Sequence, residues 1–193
     1  NVTFPSPIPA IKVSHSGSIR ELNQSARDIL GAHASQLFQI TGPQNMMWNA
    51  VNTLETRSGA RDFFVVHRTL DTGTEIFLLP PDTENIVQPE SSDFEMLPVP
   101  MIKLSVDGTI VQVNSYASQL LDIEPNQNVM IQDLLEGLGR SIPDWIEDAI
   151  QGRSINHPEF LRLARRDKEV FVQVILNRIK LGHEDGLIAV LSD

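Results

Sequence analysis

The sequence predicts an α+β chain of two tandem domains, each an antiparallel sheet with short helices on one face. Three observations lead there: an internal repeat, a strand–turn–strand–helix order within each copy, and a closing run of three strand candidates. Pro98 to Leu121 reads PVPMIKLSVDGTIVQVNSYASQLL, and Pro7 to Leu30, 91 residues upstream, reads PIPAIKVSHSGSIRELNQSARDIL. Aligned without a gap, the two share ten identities in 24 positions, where unrelated sequences share about one or two. A period of this length is too long for a solenoid unit and matches a duplicated small domain.

Each copy opens the same way. Met101 to Ser105 reads as a short apolar strand, Asp107-Gly108 as a turn and Ile110 to Val113 as a second strand. Asp-Gly between apolar runs is a strong hairpin signal, because the favoured two-residue turn needs positive φ at both central positions. Ser16-Gly17 takes that place in the first copy. Asn114 and Asn23 fall where strand gives way to helix and read as N-caps.

The first copy continues to Gly31, a C-terminal stop. Met46 to Leu54 reads as a helix, with Met47, Val51 and Leu54 on one stripe and Trp48 beside it, a core face. Phe63 to Leu70 and Glu75 to Leu79 are strands joined through Asp71-Thr72-Gly73. Residues 81 to 98 are polar, acidic and bounded by Pro, as a linker is, with Phe94, Met96 and Leu97 apolar enough to dock on the second domain.

The second copy is fuller. Gln127 to Gly139 carries Met130, Ile131, Leu134, Leu135 and Leu138 at helical spacing. Ser141-Ile142-Pro143-Asp144 resembles a capping box, with Pro in the first turn where its missing donor does no harm. The helix then places Ile142, Trp145, Ile146, Ala149 and Ile150 on one face, with Gly152 as its stop. Strand candidates come next at Glu159 to Ala164, Glu169 to Ile179 and Gly186 to Ser192. Alternation divides the middle one into a core face (Val170, Val172, Val174, Leu176) and an outer face (Phe171, Gln173, Ile175, Asn177, Ile179). An outer face carrying Phe and two Ile is too apolar to stay wet.

Composition excludes several classes of function. With 193 residues, each half can bury a modest core. The net charge of −10 argues against a nucleic-acid or anionic-membrane partner, which would call for a basic patch. The absence of Cys removes disulfides, thiol nucleophiles and Cys-based metal sites, and fits a reducing compartment. No apolar run reaches the roughly 20 residues of a membrane span. The first residue is Asn1, so an excised fragment is expected, with any membrane segment outside it. No catalytic residues emerge. The five His (15, 33, 67, 157, 183) lack metal-ligand spacing, and no nucleophile motif accompanies them. Glu147-Asp148 and Glu184-Asp185 read as solvated surface, and Gly137-Leu138-Gly139 lacks the strand and third Gly of a phosphate loop.

The run G-x-I-x-x-x-N-x-x-A occurs twice, as Gly108, Ile110, Asn114, Ala117 and as Gly17, Ile19, Asn23, Ala26. Followed by Leu120-Leu121 and by Ile29-Leu30-Gly31, it resembles the opening of a PAS domain. The resemblance covers nearly the whole chain and implies two tandem PAS domains, each a curved antiparallel sheet. It divides the chain into domain A at 1–83, a linker at 84–97 and domain B at 98–193. A PAS domain needs a third strand after its last helix. Only two are visible before Pro80-Pro81, so domain A is expected to be degenerate and short of a strand.

The resemblance also implies which cofactors to test. Light-sensing members attach a flavin or another chromophore through Cys, and none is present. Haem-binding members use a His on the helix corresponding to Ser141 to Gln151, and none occurs there. No cofactor is therefore expected. Either the core is filled and takes no ligand, or a small apolar or amphipathic ligand enters it, with Tyr116, Met130, Trp145, Val172, Val174 and Leu191 as candidate lining. In this family the outer sheet face commonly packs on a flanking helix or a partner subunit, which makes Phe171, Ile175 and Ile179 the candidate interface of a homodimer.

The resemblance implies a non-catalytic sensory and interaction module of a bacterial sensor histidine kinase, in the cytoplasmic part of a membrane-anchored protein, that meets partner signalling proteins. Ser192-Asp193 resembles the start of the D-x-T junction to an output helix. The second half is similar to the sensory part of alphaproteobacterial cell-cycle hybrid kinases, which implies a partner kinase and a cyclic dinucleotide as regulators. Arg162, Arg165 and Arg166 lie close in sequence but read as a solvated turn, not as a phosphate site. A structural dimerisation scaffold without ligand input, and a small hydrolase with an unrecognised site, are the alternatives.

Overall fold

Both copies of the repeat fold as strand, turn, strand and capped helix, and they do so with the same hydrogen bonds. The computed structural model describes residues 8–43, 45–79, 94–95, 97–125, 127–137, 139–153, 157–164, 167–181 and 183–192. The chain divides into two compact units, Asn1–Pro81 and Asp82–Asp193. Residues 84–93 of the expected linker, Met96 and Asp193 lie outside the described residues.

The first unit contains β1 (Ala10–Val13), β2 (Ile19–Leu22), α1 (Gln24–Leu30), α2 (Phe38–Thr41), β3 (Ala50–Thr56), β4 (Gly59–Leu70) and β5 (Gly73–Leu79). They form an antiparallel sheet in the order β2-β1-β5-β4-β3. The second unit contains β6 (Met101–Ser105), β7 (Ile110–Val113), α3 (Ser115–Leu121), α4 (Ile131–Leu134), β8 (Leu135–Gly137), α5 (Ile142–Ile150), β9 (Glu159–Leu163), β10 (Phe171–Leu181) and β11 (Glu184–Ser192). Its sheet runs β7-β6-β11-β10-β9-β8, so its first five strands repeat the order of the first sheet and a sixth is added at the edge.

Each Asn does more than cap a helix. Asn23 Oδ1 accepts from the amides of Ala26 (2.9 Å) and Ala10 (3.0 Å), and its Nδ2 donates to the Ile8 carbonyl (2.8 Å). Ninety-one residues on, Asn114 Oδ1 accepts from Ala117 (3.0 Å) and Met101 (3.1 Å), and its Nδ2 donates to Val99 (2.6 Å). One side chain thus joins the first turn of the helix to the entry of the first strand. The hairpins match as well: the Gly17 amide donates to Ser14 and the Gly108 amide to Ser105, each over 3.0 Å. Only the Gly of each turn has positive φ, +84° and +91°. The expectation of two positive φ values is thereby corrected. Both hairpins instead carry a register shift, at Lys12/Val13 and at Lys103/Leu104, that absorbs the extra residue.

Two segments expected to be helical contain strands. Met46–Leu54 was expected to be helical, yet Ala50–Thr56 is β3, paired with β4 along its whole length. Ala50, Asn52 and Leu54 are buried while Val51, Thr53 and Glu55 are exposed, a period of two. The stripe of Met47, Val51 and Leu54 misled because it passes over the inward Asn52, whose amide satisfies both the N–H and the carbonyl of Met47 (2.8 and 2.7 Å). The first unit therefore has all five strands and is not short of one. Likewise, of the helix expected over Gln127 to Gly139, only Ile131–Leu134 is helical, and Leu135–Gly137 pairs with β9. The open edge of β9 competes with helix propagation for the backbone of these residues, and at Gly137 a Cβ would lie 2.1 Å from the Arg140 carbonyl oxygen.

Phe94 and Leu97 are buried. Lys103, on the sheet face opposite the core, is also buried; its Nζ lies 3.0 Å from Gln112 Oε1 and 4.3 Å over the Phe94 ring. Burial pushes its pKa down to about 8. The folded state then releases this proton before the unfolded chain does, so stability should rise as pH climbs from about 8 towards the ordinary lysine value near 10.4. Urea unfolding at pH 7, 8.5 and 10 should show this rise in the wild type and lose it in Lys103→Met; a rise equal in both would assign it elsewhere.

Candidate functional site

The helix over the second core is placed by its own first turn. Ser141 Oγ accepts from the Asp144 amide (3.3 Å), and Pro143 fills a position that needs no donor. Arg140 pairs with Asp148 (2.7 Å) and with Glu159 of β9 (2.9 Å), tying the start of α5 to the sheet. Arg153 joins from the far end of α5 at 2.8 Å from Asp148, and hydrogen bonding from Arg153 is the first cause holding the Asp148 carboxyl below its usual range. The helix therefore presents Ile142, Trp145, Ile146 and Ala149 inward, where it packs on β10 and β11.

Of the six candidate lining residues, Trp145, Val172, Val174 and Leu191 meet in one apolar cluster, each at most 1% exposed. Tyr116 does not join them; it is 42% exposed on α3. Met130 is half-buried at the N-cap of α4, where its Sδ accepts from Gln132 Nε2 at 3.7 Å. Within this cluster Trp145 Nε1 is buried without a hydrogen-bond partner among the described residues.

The outer face gathers a different set. Cross-strand pairing sets Phe160 opposite Gln173 and Phe171 opposite Arg162, on the side of the sheet away from Leu161 and Val172. Phe160 and Phe171 are 60% and 48% exposed, Ile175 beside them is half-buried, and Ile179 is buried. The exposed patch is thus Phe160, Phe171 and Ile175. Sequence reasoning passed over Phe160, although its alternation with the inward Leu161 and Leu163 marks it as outward.

Two open depressions flank this end of the sheet. One, of about 490 Å³, is lined by Glu136, Arg162, Asp167, Lys168 and Glu169 among others. The other, of about 450 Å³, runs along Gln132, Gly139, Arg140 and Pro143. Arg162 is engaged by Glu136 and lies 3.7 Å from Glu169, so its guanidinium is already neutralised by carboxylates. Arg165 and Arg166 lie outside the described residues. Among the described residues no group of three His, Asp or Glu stands close enough to hold a metal ion.

Two antiparallel sheets share one strand order, each opened by the same hairpin and Asn-capped helix and each with helices between its second and third strands. This is an α+β fold of two antiparallel sheets with short helices. No family model matches the chain, and no curated protein does. Among solved structures the chain is similar to a PAS domain from Desulfitobacterium hafniense, at 12% identity and a TM-score of 0.44, over 51% of this chain and 95% of that one. It is similar to the PAS domain of an HTR-like protein from Haloarcula marismortui at 25% identity and a TM-score of 0.42, over 53% and 86%. A third similarity, at 13% identity and a TM-score of 0.42, is to a PAS domain from a two-component sensor histidine kinase, over 51% and 86%. Each spans about half of this chain.

Proposed function

We propose that the chain is a tandem PAS module that regulates a sensor histidine kinase through ligand or partner binding and dimerisation. The observation that carries this reading is the patch of Phe160, Phe171 and Ile175 on the outer face of the second sheet. Two adjacent phenylalanines on a solvent-facing sheet favour a covered state. A sheet that packs on a partner in two arrangements can be biased by anything that binds one arrangement better. Phosphotransfer would lie elsewhere in the parent protein, and this chain is expected to have no turnover. We place it on the cytoplasmic side of a membrane-anchored protein; among its described residues no helix is long and apolar enough to cross a membrane.

Native mass spectrometry of the purified chain tests the core of the proposal, since it reports subunit count and any retained small molecule together. A dimer is expected for the wild type and a monomer for Phe171→Glu combined with Phe160→Glu. Monomers in both would remove the interface. A dimer indifferent to every added ligand or partner, with signalling intact after substitutions in the core, would favour a plain scaffold instead. The finer reading, from the sequence resemblance, is that the parent protein is the alphaproteobacterial cell-cycle hybrid kinase CckA, with a partner kinase and a cyclic dinucleotide as regulators. Calorimetric titration of a cyclic dinucleotide into the chain checks this; no heat of binding would remove that ligand.

A further inference from the structure

Unit 1 contains a half-buried imidazole that its fold does not need. His67 lies on β4, on the same face as the fully buried Val65 and opposite Ile76 of β5. Its ring stacks on Trp48, with centroids 4.1 Å apart and planes 28° from parallel, and its Nδ1 is buried without a partner among the described residues. Trp48 sits in the turn that delivers β3. There Asn52 closes on Met47, Asn49 takes φ +56°, and the Asn49 amide donates to the Val65 carbonyl at 2.8 Å. In unit 2 the residue in the same register is Leu176, which is fully buried. The fold accepts an aliphatic side chain there, so packing alone does not call for histidine.

We propose that the His67–Trp48 stack is a pH-operated latch on the turn at 47–50, closed while the imidazole is neutral and loosened when it is protonated.

In the neutral ring one nitrogen carries a proton and the other is an acceptor, so Nδ1 can be the acceptor that goes unused. Protonation makes both nitrogens donors, which puts a proton on Nδ1 where no acceptor stands among the described residues, and adds a charge to a half-buried ring. A cation over the indole face gains some attraction in return, while burial acts against the charged form and lowers the pKa of His67. Charged groups on the surrounding elements do not alter this. Arg68 of the same strand and Glu75 of β5 pair with each other at 2.5 Å on the opposite face. Glu55 of β3 and Arg27 and Asp28 of α1 are exposed, α2 carries no charge, and among the described residues burial is the one cause acting on the ring. Because the folded value lies below the ordinary one, the closed latch is fully stable above about pH 6.5 and is weakened as pH falls below it.

Two-dimensional NMR of the whole chain tests this between pH 7.5 and 4.5. The His67 ring is expected to titrate below the ordinary histidine value, with the Trp48 indole N–H resonance following the same midpoint. Hydrogen exchange at the Asn49 amide, corrected for intrinsic chemistry, should accelerate about threefold or more between pH 7 and 5. His67→Leu, the side chain that unit 2 uses, should abolish that acceleration, and His67→Gln provides a second non-titrating variant. Titration of His67 at or above the ordinary value would overturn the proposal. So would equal acceleration in the wild type and in both variants.

Discussion

Replacing Asn114 by alanine is expected to destabilise the chain by about 3 kcal/mol. The helix cap contributes about 1 kcal/mol of that. The remainder comes from buried backbone groups left unmatched, at roughly 1–3 kcal/mol each. Asn114 is fully buried, and its amide serves the Met101 N–H and the Val99 carbonyl as well as the Leu97 carbonyl at 3.3 Å. Asn23 makes the parallel bonds in a half-buried setting where water can replace part of what is lost. Asn23→Ala should therefore cost less, about 2 kcal/mol by the same accounting. Urea denaturation of both variants measures the difference. A cost under about 1 kcal/mol for Asn114→Ala would show that the strand entry is held by something else.

Trp145→Ala is expected to cost about 3–5 kcal/mol, the range for a large aromatic removed from a packed core. The side chain is 1% exposed among aliphatic neighbours from α5, β10 and β11. Trp145→Phe should be far milder, about 1 kcal/mol, because among the described residues Nε1 has no hydrogen bond to lose. The alanine variant also probes the candidate pocket: indole should fill the space vacated and raise the melting temperature, while leaving the wild type unmoved. If indole raises the wild type equally, a pre-existing cavity in the core would be indicated.

The repeat makes the two hairpins and Asn-capped helices legible in the sequence, because a register of identities fixes what a single copy leaves ambiguous. Alternation did the same for β10, where Val172, Val174 and Leu176 are inward and Phe171 outward. It failed at Ala50–Thr56, where an inward Asn52 broke the apolar pattern and left a helical stripe as the stronger signal. Asn52 is tolerated there because its amide is satisfied by the turn it closes, five residues back at Met47, a local contact that apolar periodicity does not register. The candidate lining was partly legible for a related reason. Strand and helix periodicity place Trp145, Val172, Val174 and Leu191, whereas Tyr116 and Met130 lie near helix starts, where direction depends on how the chain enters.

The exposed Lys12–Glu21 ion pair, 2.9 Å apart, has its counterpart in Lys103–Gln112 beneath Phe94. In the second copy the lysine is buried, and there a glutamate in place of Gln112 would bring a second charge out of water. The one glutamate-to-glutamine difference between the twin segments thus follows their settings, a charged partner for the exposed Lys12 and a neutral one for the buried Lys103.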